Sequence, residues 1–359
     1  MLSQDSATRR YRNMRKAIMT LVMLGSLSAT AMAADVKWSG DFGYRNDSLE
    51  VGTANSDRDR FRVGLVAKVD VNDKTNVVVG VRTGPTKTPW NDLAGGSLKT
   101  VDLNLAYVEY AAANNLKVTL GKMNQPWVME GLMFDEDIKP EGLAVAYKTD
   151  SGLSASAFKL KLVENGADQD STLAGVQVGA AKKVAGFDVA AHATLLDQEV
   201  NTKASLCYVV YPLSIAGGSS VPSLPVCSST EKHKQLVLST SAAKDVAGVP
   251  VKLFVQQLKN DEAKTADTAL AYGVKFGAAK KAGDWEVSLM KQDAEANALS
   301  GVWTDSDFGG EAVLHDGTAV RAAYVLADGW VVRGSYFDVE VGSRKVDYKR
   351  AMLDLVYTF

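Results

Sequence analysis

Along most of this chain apolar and polar side chains alternate with a period of two, the spacing that puts successive residues on opposite faces of a β-strand. Between Arg60 and Val69, the odd positions Phe61, Val63, Leu65, Ala67 and Val69 share one face, and Arg60, Arg62, Gly64, Val66 and Lys68 share the other. Trp285, Val287 and Leu289 stand opposite Glu286 and Ser288, and Val251, Leu253 and Val255 opposite Lys252, Phe254 and Gln256. The chain ends in the same way, with Leu353, Leu355, Tyr357 and Phe359 against Asp354 and Thr358. The pattern predicts sixteen strands, roughly at 36–46, 59–70, 75–84, 100–111, 115–122, 140–149, 152–163, 171–183, 186–197, 232–244, 249–260, 267–280, 283–293, 317–327, 329–340 and 346–359. Segment 152–163 is the weakest, small and polar on both faces, which predicts a bulge or a surface covered by a neighbouring subunit.

Connections carry more information than the strands. Every second one is tight: 71–74, 112–114, 150–151, 184–185, 245–248, 281–282 and the single Asp328. The others are mostly longer and rich in Gly, Ser, Asn, Asp and Pro, notably 47–58, 85–99, 123–139, 198–231 and 294–316. Long and short loops alternating with an even strand number are what an all-β transmembrane antiparallel barrel produces, one rim bearing short turns and the other long loops. A soluble sandwich has no reason to keep that parity. Both termini then fall at the short-turn rim, where Phe359 joins an aromatic girdle and its strand pairs with the one starting near Val36.

The N-terminal segment says where such a barrel would reside. Arg9, Arg10, Arg12, Arg15 and Lys16 precede an apolar run from Ala17 to Leu27, and Ala31 and Ala33 supply small residues at the positions a signal peptidase reads. This predicts a secretory signal peptide over 1–33, cleaved after Ala33, and a single barrel domain over 34–359. The apolar run is about half of the roughly 20 residues a spanning helix needs, and no later stretch approaches that length. A helical membrane protein is excluded, and a bacterial outer-membrane barrel with short periplasmic turns and long external loops is expected. Removing five basic residues and Asp5 with the leader takes the formal charge from −2 to −6, which argues against a general affinity for nucleic acid.

Trp38-Ser39-Gly40-Asp41-Phe42-Gly43-Tyr44-Arg45, then Arg58 to Arg62, Gly121-Lys122-Met123 and Pro140-Glu141-Gly142, resemble a bacterial putative-porin family, most clearly over residues 35–150. The resemblance implies an outer-membrane barrel, assembled as a homotrimer, that passes small hydrophilic solutes and ions. It also implies contact with lipid, lipopolysaccharide and the barrel-assembly machinery, for which Tyr357 and Phe359 resemble the terminal signal. Alternatives are a structural or adhesive barrel without open conductance, and a secreted soluble β-protein.

Two sets of charges are candidates for a selective lumen. Once the barrel closes, the last three and first three strands are contiguous and carry Arg45, Arg60, Arg62, Arg82, Arg321, Arg333 and Arg350 as a basic wall. The connection 123–139, external by parity, carries Glu130, Asp135, Glu136 and Asp137, with Glu141 just beyond. In general porins the loop in this position folds into the lumen, which would set carboxylates across an aqueous constriction from the guanidiniums. The competing reading is that these charges only solvate a wide interior.

Cys207 and Cys227 share the connection 198–231, and in an oxidising compartment they read as a disulfide pinning an external loop, with free thiols as the alternative. His192, His233 and His315 are widely separated and form no spaced metal motif. No cofactor, metal or enzymatic activity is expected.

Overall fold

A computed structural model describes residues 36–84, 88–96, 99–164, 170–200, 207–209, 225–227 and 232–359; the expected leader, 1–33, lies outside them. The long strands are β1 (Val36–Val51), β2 (Ala54–Asn72) and β3 (Thr75–Thr83), followed after the two-residue β4 (Asn91–Asp92) by β5 (Val101–Ala113), β6 (Leu116–Lys122), β7 (Glu141–Lys148), β8 (Leu153–Val163), β9 (Ser171–Val184) and β10 (Phe187–Glu199). After β11 (Cys207–Val209) and β12 (Pro225–Cys227) come β13 (Lys232–Val246), β14 (Val249–Asn260), β15 (Thr268–Gly277), β16 (Trp285–Ala294), β17 (His315–Ala327), β18 (Trp330–Val341) and β19 (Val346–Thr358). Each long strand pairs antiparallel with its neighbours along the chain, and β1 closes on β19, giving a sixteen-stranded barrel. Closure satisfies every ladder donor and acceptor, which a membrane demands because lipid offers no hydrogen bonds.

All sixteen expected strands are present, and the side chains divide as the period of two requires. Val63, Leu65, Leu253, Val255, Trp285, Leu289, Leu353 and Phe359 point outward and are exposed, whereas Arg60, Gln256, Asp354 and Val356 point inward and are buried. Two of the tight turns are two residues long with both residues in the left-handed region: Ala185 and Gly186 at φ 50° and 82°, and Ala247 and Gly248 at 52° and 85°. That backbone twist matches the twist of the strands it joins.

One connection departs from expectation. Residues 47–58 form no long loop: β1 runs to Val51, β2 starts at Ala54, and only Gly52 and Thr53 turn the chain, with Gly52 at φ 59°. The segment reads as loop because its outward face is polar and Gly52 interrupts it, although inward Leu49 and Val51 are buried in the apolar core. Its outward residues Ser48, Glu50, Asn55 and Asp57 fit a stretch rising above the hydrocarbon band, while inward Asp47 and Arg58 are ion-paired. In 198–231, β11 and β12 form a separate two-stranded ladder in which Cys207 and Cys227 are direct register partners, so neither joins the wall. Segment 152–163 forms the continuous strand β8 with a register shift between Lys161 and Val163, a bulge at its outer end.

The barrel seam rests on Gly40. Its N–H donates to the Phe359 carbonyl and accepts, through its own carbonyl, the Phe359 N–H, both at 3.1 Å. A Cβ placed on Gly40 would lie 2.5 Å from the Gly64 carbonyl oxygen and 2.7 Å from Cζ of Phe359, so no other residue fits without moving backbone. Gly40→Val should lower the fraction refolding to the heat-modifiable form on detergent gels, by a stability loss of about 1–3 kcal/mol. Refolding equal to that of the unaltered chain would contradict this account of the seam.

Candidate functional site

Two connections turn into the barrel and pack on one another. Segment 123–140 contributes Met123, Trp127, Leu132, Met133, Phe134 and Ile138, and segment 295–314 contributes Ala298, Leu299, Trp303, Phe308, Ala312 and Val313, to one buried apolar cluster. The inward faces of β8 to β10 and β13 to β18 complete it with, among others, Phe158, Leu160, Leu173, Leu196, Leu258 and Phe337. The Trp127 ring centre lies 5.0 Å from that of Phe158, 5.5 Å from Trp303 and 6.1 Å from Phe134. Burial of rings at such edge-on and tilted angles supplies most of the attraction. Asp135 is the polar clasp: its N–H donates to the Trp303 carbonyl at 2.7 Å, and its carboxylate accepts the N–H groups of Asp137 at 2.8 Å and Ser306 at 3.3 Å.

Chain inside a barrel needs hydrogen-bond partners that the wall backbone, committed to its ladders, cannot provide. Buried glutamines provide them. The Val128 N–H donates to Oε1 of Gln177 at 2.9 Å while Gln177 Nε2 donates to the Val128 carbonyl at 2.8 Å. Two residues on, the Glu130 N–H donates to Oε1 of Gln256 at 2.7 Å, and after two more the Leu132 N–H donates to Oε1 of Gln292 at 2.9 Å. Gln177, Gln256 and Gln292 lie on β9, β14 and β16, so segment 128–132, which bends at Gly131 (φ 72°), crosses the interior pinned at every second residue. Gln256 Nε2 also donates to Sδ of Met133 at 3.2 Å, and Gln235 Nε2 donates to the Ala298 carbonyl at 2.7 Å on the second segment.

The arginines lie on the opposite side. Register alone sets Arg333, Asp354, Arg45, Arg60 and Asp92 in one row across β18, β19, β1, β2 and β4. Arg45 makes a two-pronged contact with Asp354 at 2.7 and 2.8 Å. Asp47, fully buried, accepts from Arg350 at 2.8 and 2.9 Å, from Arg58 at 2.7 Å and from Arg60 at 3.4 Å. Arg45 and Arg60 are direct register partners of like charge, an arrangement that repels. Trp90 and Asp92, from the connection after β3, relieve it: the Trp90 carbonyl accepts from Arg60 at 2.8 Å, and Asp92 pairs with Arg60 at 3.0 Å. The Trp90 ring is buried between Arg45 and Arg62, whose guanidinium carbons stand 4.2 and 4.9 Å from its centre. Arg62 pairs with Asp41 at 2.6 Å, Arg321 stacks on Phe337 at 5.3 Å, and Arg333, inward and exposed, pairs with no carboxylate among the described residues.

Segment 123–140 sends its acids to several places rather than to one facing row. Glu130 pairs with Lys252 at 2.5 Å and Asp137 with Arg82 at 3.0 Å, while Glu136 is exposed; Glu141, the first residue of β7, pairs with its register partner Lys122 at 3.2 Å. Carboxylates from 295–314 complete the face towards the arginines: Asp307 meets Arg350 at 2.9 Å and Arg45 at 4.0 Å. Burial would raise the Asp307 pKa, yet Arg350, Arg45 and Arg321 hold it below the usual carboxylate range. Asp305 goes the other way, pushed up to about 7 by burial and by Asp307, against the pull of Arg321 and the N–H groups of Phe308 and Asp307. Burial also raises Asp137 despite Arg82 beside it.

Sequence reasoning missed Asp305, Asp307, Trp90 and the glutamines. The glutamines had a legible signal, since all occupy inward positions of the alternation where a purely apolar or charged residue could have stood.

Replacing both Gln177 and Gln256 by Leu removes three hydrogen bonds to segment 128–130, each worth about 1 kcal/mol net. Bilayer recordings of the double variant should show larger and noisier conductance steps than the unaltered chain, and steps of unchanged size and noise would rule out this holding role. For Asp305 the sign follows from its raised value. Its contribution is complete below the ordinary carboxylate pKa of about 4 and is lost as pH rises through about 7. The protection factor at Phe308, which removes the hydroxide-catalysed pH dependence common to all amides, should therefore be higher at about pH 5 than at about pH 8, a difference that Asp305→Asn should abolish.

Residues 33–184 match the profile of a family described as putative porins. Among solved structures, the high-pH form of Pseudomonas putida OprB superposes with a TM-score of 0.61 at 12% identity, covering 90% of this chain and 94% of that one. Salmonella typhi OmpF, in a complex with daunomycin, gives 0.55 at 15% identity, with 91% and 98% covered. In-vitro folded Vibrio cholerae OmpT, in a trimer form, gives 0.51 at 12% identity, with 91% and 100% covered. At these identities the likeness is one of fold. No curated protein sequence matches the chain.

Proposed function

We propose that this chain, porin-like in fold and carrying the putative-porin pattern over residues 33–184, is an outer-membrane channel for passive diffusion of small hydrophilic solutes and ions. The observation that carries the reading is the division of the interior. On one side two pinned segments exclude water, and on the other Arg62, Arg321 and Arg333 stay in contact with it beside the buried, ion-paired Arg45, Arg60, Arg82 and Arg350. Inward Arg333 and the Lys275–Glu286 pair at 2.7 Å are half-buried or exposed, as expected of groups lining an aqueous vestibule rather than a sealed core.

In this reading the solute passes beside the more solvated Arg62, Arg321 and Arg333, while Arg45, Arg60, Arg82 and Arg350 are held in ion pairs, those of Arg82 with Asp137 and of Arg350 with Asp307 joining the wall to the inward segments. Asp135 fastens the two segments, and Glu130, Glu136 and Glu141 flank the passage. The field of these charged groups orients dipolar solutes and disfavours apolar ones. We also read Tyr357 and Phe359 as the assembly signal and Cys207 and Cys227 as a disulfide, supported by their direct register partnership in β11 and β12. A homotrimer in contact with lipid and lipopolysaccharide, after export and leader removal near Ala33, completes the proposal.

Planar-bilayer recordings of the refolded chain test it and should show stepwise conductance. Arg62→Glu with Arg333→Glu, chosen because these side chains are the more solvated ones, should move the reversal potential towards cation preference by a few-fold in permeability ratio. A folded barrel without conductance steps would favour a structural or adhesive role, and unchanged selectivity in the double variant would remove the arginine wall from the account.

A further inference from the structure

Beside the arginine wall lies a cavity of about 340 Å3. Arg82, Asp102, Asn104 and Lys122 line it from β3, β5 and β6, and Asp137 and Lys139 line it from the root of the inward segment. Arg82 and Asp102 are direct register partners, and Arg82 pairs with Gly64, four residues from Arg60 towards the short-turn rim, so the cavity lies on that side of the row of buried guanidiniums.

Its hydrogen-bond accounts do not balance internally. An ammonium group offers three donors. Lys122 uses two, on the Lys139 carbonyl at 3.1 Å and on Glu141 at 3.2 Å; Lys139 uses one, on the Glu136 carbonyl at 2.5 Å. Arg82 is engaged by Asp137 at 3.0 Å, and Asp102 pairs with no cation among the described residues. Spare ammonium donors and an unpaired carboxylate therefore border one small space. A simple anion would satisfy the lysines and be repelled by Asp102, and a simple cation would meet the reverse. A molecule bearing both charges a short distance apart satisfies both ends.

We propose that this cavity is a subsite for small zwitterions, α-amino acids whose carboxylate meets Lys122 and Lys139 and whose ammonium meets Asp102. The proposal rests on the porin reading for its role in transport, but the binding itself does not require conduction. Burial holds the Lys139 pKa below its usual value, the direction expected of a cation whose surroundings would be improved by an incoming carboxylate.

Two measurements on the refolded full chain separate the subsite from the channel. Saturation-transfer NMR in detergent, with L-alanine, acetate and methylammonium as probes, reads binding alone. Current block by L-alanine in a bilayer reads binding on the conduction path. L-alanine should give the strongest transfer, and Lys139→Gln and Asp102→Asn, each checked for folding by heat-modifiable migration, should each weaken binding about tenfold. Acetate should lose binding only with Lys139→Gln, and methylammonium only with Asp102→Asn. Equal transfer from L-alanine and acetate, or unaltered L-alanine binding in both variants, would overturn the proposal. L-alanine binding in a barrel that carries no current would sustain the subsite and remove the porin reading, whereas current without L-alanine binding would do the opposite.

Discussion

A barrel wall spends its backbone hydrogen bonds on itself, and much of this molecule's interior follows from that constraint. Any segment entering the lumen brings its own N–H and C=O groups into a space where wall amides are already engaged. Side chains long enough to reach inward and able both to donate and to accept are needed, and glutamine meets both conditions. Gln177, Gln256 and Gln292 act as a ladder edge built of side chains, reading the segment at Val128, Glu130 and Leu132 as a neighbouring strand would. The period of two in the segment is imposed by the same geometry that sets the period of two in the wall.

Electrostatics then orders the other side. Asp47 is shared by Arg58, Arg60 and Arg350, and Arg350 passes the contact on to Asp307, so a wall strand and an inward segment are joined through a chain of charge-assisted bonds. Such buried pairs specify arrangement more than they add stability, because much of their Coulomb energy offsets desolvation. The apolar cluster supplies the cohesion, and the ion pairs fix where the cohesive unit sits. The lumen is asymmetric because these buried ion pairs are confined to the arc around β19, β1 and β2, where the apolar cluster thins to Leu49, Val51, Tyr348 and Met352.

Strand identity was legible because it depends on a local rule, alternation, and on turn chemistry at positions such as Ala185-Gly186 and Ala247-Gly248. Arginine placement was legible for the same reason, since inward parity and strand order bring Arg45, Arg60 and Arg350 together without any loop being understood. What the acids do was not, because Glu130 and Asp137 choose partners on two different strands according to how a long segment folds. Residues 295–314 were hidden as well: a Gly-rich and Asp-rich stretch resembles a solvated loop until Trp303 and Phe308 are seen buried against the other segment. The extension of β1 and β2 past residue 46 was masked by polarity on the outward face, which above a membrane costs a strand nothing.

The apolar cluster within the lumen has a consequence for how size relates to passage. Strand number fixes the circumference of the wall. Here the arc from β8 to β18 is filled at the height of Phe158, Leu258, Phe337 and the side chains that cover them, so at that height it contributes perimeter and little cross-section. Circumference and aperture are thereby uncoupled, and two barrels of equal strand count can sieve solutes of very different sizes according to how much of the interior is dry.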